Sequence, residues 1–169
     1  MSKYRWMQLI ILGIASGSLS YFSLEIHEST LFFLPGLLFG IAVIIWFVYR
    51  FRRKPFGIFI IPVISTGAYY AAVYTVLLEI GDIDIKPDGV IFVLAGVVGS
   101  GILLSGVHFL LQRLSVSALI KLILLGGLLG LSIYIHPSSG SITLLPLYLC
   151  WQTGMMVGLG YFWEKRFHG

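Results

Sequence analysis

At 169 residues, with 58% hydrophobic and 11% charged side chains and a net charge of +4, the chain has too little polar surface to cover a globule in water. Soluble domains carry roughly 25% charged residues, more than twice this share. A mean hydropathy of +0.98 makes lipid the solvent for most of the chain, so a soluble enzyme is excluded, and the placement of the charges argues against a nucleic-acid partner.

The first apolar run, Trp6–Leu24, follows a short basic start and has small residues near Ala15 and Gly17. That resembles a secretory signal, but the apolar run continues past the small residues, which favours a retained span. Gly13, Ser16, Ser20, Ser23 and His27 recur three or four apart along it and form one polar face. The second run, Leu31–Tyr49, holds Pro35 and Gly36 near its start. A proline there costs little because first-turn amides have no intrahelical partner. The third, Phe56–Leu78, carries Pro62 deeper, where a kink is expected. It also aligns Ser65 with Tyr69, and Thr66 with Tyr70 and Tyr74.

The fourth run, Val90–Gln112, places Gly101, Ser105, His108 and Gln112 on one face. The fifth, about Ala118–Ile135, is short: the 14 residues between Lys121 and His136 span only about 21 Å of an approximately 30 Å core. It reaches the full width if it starts before Lys121 and that ammonium snorkels; a re-entrant segment is the other reading. The sixth, Ile142–Trp163, has Pro146 in its first turns, a single packed thiol at Cys150, and Trp151, Gln152 and Thr153 at depth.

Backbone groups must pair internally in hydrocarbon, and the strand alternation of a barrel is absent, so the six runs predict an all-α polytopic membrane bundle formed as one domain. Ten of the eleven bases fall on one side of it: Lys3, Arg5, Arg50, Arg52, Arg53, Lys54, Arg113, Lys121, Lys165 and Arg166. Glu25, Glu28, Glu79, Asp82, Asp84 and Asp88 fall on the other, with Lys86. The positive-inside rule then puts both termini in the cytoplasm, in a bacterial inner membrane or its equivalent.

Small residues recur four apart within the spans. Gly36 and Gly40, Gly96 and Ser100, and Gly154 and Gly158 repeat at intervals of 60 and 58 residues. The odd spans echo one another at Gly13 with Gly17, at Gly67, and at Gly126 with Gly130. Three helical hairpins of one ancestral type would produce this pattern, as would chance among 20 glycines. Under either origin, these positions are expected to pack helices closely.

No carboxylate lies deep in a span, which disfavours ion-coupled transport through a buried acid. No zinc, phosphate-loop or nucleophile motif occurs, so neither catalysis nor a bound cofactor has support. Glu25, His27, Glu28, Asp82, Asp84 and His136 could approach one another at the acidic end, but no ligand spacing defines a metal site. The expectation for function is a permease-like or substrate-binding membrane subunit with a polar-lined cavity, its ligand held by Tyr70, His108, Trp151 and Gln152. The alternative is a scaffold that docks other membrane subunits, or copies of itself, through its glycine faces.

Overall fold

The computed structural model describes residues 3–26, 32–47, 56–80, 89–111, 113–135 and 144–165. They form six helices: α1 (Lys3–Ile26), α2 (Leu34–Phe47), α3 (Gly57–Ile80), α4 (Gly89–Leu110), α5 (Val116–Gly130) and α6 (Leu145–Lys165). A short 3-10 turn, Leu131–Ile135, extends α5, and no strand occurs among the described residues. Four segments are long and apolar enough to cross a membrane alone: Tyr4–Ser23, Gly57–Leu78, Gly89–Leu110 and Val116–Ile133. The protein is therefore an all-helical, multi-pass membrane protein with apolar helix faces for the bilayer.

Two boundaries differ from expectation in an informative way. The α5 helix begins at Val116, ahead of Lys121, because the Ser115 hydroxyl caps it by accepting from the Ala118 amide at 3.2 Å. Lys121 is exposed, and with the Leu131–Ile135 turn the helix is longer than the run that follows that lysine. The α2 helix has only 14 residues, about 21 Å of rise, shorter than the run Leu31–Tyr49. The α3 helix continues through Pro62 without interruption.

Neighbouring helices run antiparallel in a closed ring. Each packs on the next in chain order, and α6 closes the ring on α1. The pairing α1 with α6 is the most extensive, while α1 with α2 and α5 with α6 are among the slightest. The ring thus does not divide into three tight hairpins.

Small residues make the seams. On the α1–α6 seam, a Cβ at Gly17 would stand 2.8 Å from the Tyr148 carbonyl oxygen, and one at Gly13 would strike the Thr153 backbone. On α2–α3, a Cβ at Gly36 or Gly40 would lie 2.6 Å from the Cα of Thr66 or Pro62. On the α4–α5 seam Gly96 meets Gly126 backbone to backbone, Gly126 also receives the Ser100 side chain, and a Cβ at Gly130 would strike the Phe92 carbonyl. Ser100 Oγ adds hydrogen bonds to the carbonyls of Val97 at 3.1 Å and Ile123 at 3.4 Å. Gly154 and Gly158 instead receive the side chains of Leu129, Leu122 and Leu125.

Half of the ring interior is solid. Towards the end that carries exposed Arg5, Arg113 and Lys121, hereafter the basic end, Leu9, Val43, Phe47, Leu104, Val107, Leu122, Met155, Met156 and Leu159 are buried together with Trp163. The Phe47 and Trp163 rings lie 4.4 Å apart, centroid to centroid.

Gly96→Ala drives a methyl into the Gly126 carbonyl and is expected to lower stability by about 1–3 kcal/mol, as overpacking does. Gly67→Ala and Gly101→Ala meet nothing within 4 Å and should be neutral or slightly stabilising. Reversible unfolding in mixed micelles measures all three.

Candidate functional site: an apolar cavity with one unpaired carbonyl

The other half of the ring interior is hollow. A cavity of about 230 Å³ lies between α2, α3, α4 and α6, with Gly130 of α5 at its edge. Its deepest lining residues are Phe39, Ser65, Leu103 and Gln152, and its outermost are Phe32, Leu77, Phe92 and Leu144. The next inward positions on those helices, such as Val43, Ile61, Leu104 and Met156, belong to the buried core. The cavity is therefore stopped by packed side chains towards the basic end, and its outermost described lining residues lie towards the acidic end.

Its existence follows from residue size. In this half of the ring the inward positions are Gly36, Ala68, Ala72, Ala95, Gly96, Gly99 and Gly130. These small residues, which let backbones meet at the seams, leave much of the space near the axis unfilled. The lining is mostly apolar, unlike the polar-lined site expected from the sequence, and among the described residues it contains no Asp, Glu, Lys, Arg or His.

The polar faces expected to line it are spent elsewhere. On α1, Ser16, Ser20 and Ser23 donate to the carbonyls of Gly13, Ser16 and Ser20 at 3.1, 2.7 and 2.8 Å. On α4, Ser105 donates to Gly101 O at 2.8 Å from an exposed position. Such back-bonding satisfies the hydroxyl inside its own helix.

Of the four residues expected to hold a ligand, the structure brings Trp151 and Gln152 to the cavity. The Trp151 ring stacks at a tilt on Phe39, 5.4 Å between centroids, and closes the floor. Tyr70 is 46% exposed and does not line the cavity; its ring flanks Phe32 at 6.0 Å. His108 lies beyond the floor, where its Nδ1 accepts from the Leu114 amide at 3.0 Å and ties the end of α4 to the start of α5. The acidic group of His27, Glu28, Asp82, Asp84 and His136 is outside the described residues, as is the side chain of Glu25.

Two cavity residues were not singled out as ligand contacts by sequence. Tyr69 and Tyr148 face each other across the ring with their hydroxyls 2.8 Å apart. The available signal was the spacing of Ser65, Ala68, Tyr69 and Ala72 on one face of α3, small residues interrupted by one tyrosine. Choosing between adjacent tyrosines requires knowing which face of α3 turns inward.

Gln152 carries the sharpest feature. It is 3% exposed, and its Nε2 donates to Ser20 Oγ at 2.9 Å. A serine hydroxyl has one proton, and that of Ser20 is committed to Ser16 O. Ser20 must therefore accept, which fixes the orientation of the Gln152 amide. Its carbonyl oxygen meets no donor among the described residues.

No family model, curated protein or solved structure matches the chain. Function must be argued from this geometry.

The Gln152–Ser20 bond joins the two helices that close the ring. In a double-mutant cycle of Ser20→Ala and Gln152→Leu, the expected coupling is about 0.6–1.7 kcal/mol, the range of interhelical hydrogen bonds in bilayers. Unfolding of the four proteins in bicelles measures it.

Proposed function

We propose that the protein is a permease-like, ligand-binding membrane subunit that receives a small molecule in the hollow half of its ring. The observation that carries the reading is the cavity of about 230 Å³ in the half of the ring opposite the packed core. Cavities of this kind, mostly apolar with a few placed polar groups, are the usual form of small-molecule sites. The basic end is cytoplasmic, with both termini, by the positive-inside bias. The cavity then opens to the outer side of a bacterial inner membrane or its equivalent.

No carboxylate lines the cavity among the described residues, so on this reading any movement of ligand towards the cytoplasm would draw energy from a partner subunit rather than from a bound ion. The scaffold reading rests on glycine faces that dock other helices. It is the weaker one, because Gly13, Gly17, Gly36, Gly40, Gly96, Gly126, Gly130, Gly154 and Gly158 are already covered by helices or side chains of the same chain.

Two measurements test the proposal. In a Cys150→Ser background, cysteine at position 72 should react with a small membrane-impermeant thiosulfonate added outside intact cells. Cysteine at position 107, in the packed half, should stay unreactive. Labelling of position 72 from the inside alone would reverse the assigned orientation. Separately, compounds that raise the thermal stability of the wild type should lose that effect in Ala72→Phe, which fills the cavity. An undiminished effect would place their binding elsewhere.

A further inference from the structure

The cavity is long rather than round. On α3 its lining runs from Ser65 through Ala68, Ala72 and Val76 to Leu77, about 18 Å of helix rise. On α4 it runs from Phe92 through Ala95 and Gly99 to Leu103, about 16 Å of rise. A volume of about 230 Å³ drawn out over that length makes a narrow slot along the helices. Its floor lies near the middle of the bundle. Counted from the acidic end, Phe39 and Gln152 stand before the midpoints of α2 and α6, and Ser65 and Leu103 stand past those of α3 and α4. The slot thus covers the depth of one leaflet, about 15 Å of hydrocarbon.

Such a shape needs an apolar filling that is itself long. Water suits it poorly, because a buried water needs two to four polar partners and the wall is mostly aliphatic, aromatic or glycine. The Tyr69 and Tyr148 hydroxyls spend a hydrogen bond on each other at 2.8 Å. Left empty, the slot forfeits dispersion contacts along its whole length, and a compact ring would restore only part of them. At the outer end, Leu77 and Leu144 line the slot and are also 54% and 36% exposed, so its wall there reaches the outer surface of the bundle. The apolar chains that surround a membrane protein at highest concentration are those of the bilayer.

We infer that the slot takes one acyl chain of a phospholipid from the leaflet on the acidic side, chain end inward. The methyl end rests at Phe39 and Leu103, and the headgroup stays beyond Leu77 and Leu144. The head can lie only at that end, because packed side chains stop the slot at the other. The second chain remains in the bilayer: about 230 Å³ exceeds the 150 Å³ of a cavity that encloses benzene by too little to hold two chains. Recognition is then of the chain, and the head is left outside the slot. This inference rests on the ligand-binding reading above and names the ligand's chemical class.

The test uses the full chain in phosphatidylcholine nanodiscs doped with a phosphatidylcholine that carries a diazirine on one acyl chain. In one probe the diazirine is at the chain end, and in the other it is next to the ester. Phe39 and Leu103 are 2% and 0% exposed, so label on them reports a chain inside the slot rather than lipid around the bundle. The chain-end probe should label these two residues several-fold more than the ester-proximal probe, which should favour Val76 and Leu77. Ala72→Phe, which narrows the slot midway, should abolish the deep label and leave that on Leu124, which is 57% exposed. The depth order in the wild type stands even if that variant folds poorly. Label confined to exposed residues, or equal label on Phe39 from both probes, would overturn the acyl-chain ligand. In that event a compound that stabilises the wild type but not Ala72→Phe would leave the binding reading standing without this ligand, and failure to find one would count against both.

Discussion

Close approach of helix backbones is the constraint on which the rest of this structure depends. Lipid is as apolar as leucine, so no hydrophobic force gathers these helices once they are inserted. Dispersion between surfaces that fit must do so, and dispersion falls steeply with separation. Gly96 against Gly126, Gly13 against Thr153 and Gly36 against Thr66 bring the main chains close enough for whole helix faces to touch. Closing the ring through α1 and α6 then adds a seam that joins the two ends of the chain.

The same residues produce the cavity. Side chains that extend inward from Phe47, Leu104, Leu122, Met155 and Trp163 fill the basic half of the ring. In the opposite half many of the lining positions are glycine or alanine, which suit close seams and leave space unfilled near the axis. Packing and hollowing are thus one design: a bundle held by small residues must recruit large ones to fill its centre, and this chain does so along only half its length. A cavity formed in that way is apolar by default, and each polar group in it has a stated position. The Tyr69–Tyr148 hydroxyl pair is one such group.

A mostly apolar lining changes the chemistry that the site can serve. Serines on α1 that looked like a hydrophilic path are consumed by their own helix, so no wet track leads along them. What remains is a mostly apolar chamber whose polar lining residues include Ser65 and Tyr69 on α3 and Tyr148 and Gln152 on α6. Such a chamber discriminates by penalising mismatched groups: an unpaired donor or a buried charge loses more than a matched one gains. The dry packing beneath the floor also separates the chamber from the basic end, so passage through the bundle would require that packing to open.

Composition and the spacing of charged residues were enough to place this chain in a bilayer, to locate six helices and to mark small-residue faces, because these are one-dimensional consequences of burying backbone in hydrocarbon. Gln152 and Trp151 could be singled out from sequence because large polar groups deep in an apolar run must find partners. The direction in which each helix turns was not legible. It depends on two neighbours at once, and it is what puts Tyr69 rather than Tyr70 in the cavity, commits His108 to a backbone amide, and spends the α1 serines locally. Sequence by itself determined the solvent, the helices and the residues able to pack closely. Tertiary structure alone decided the ring closure, which half of it is hollow and which carbonyl is left without a donor, since each is a matter of side chains from different helices meeting or failing to meet in space.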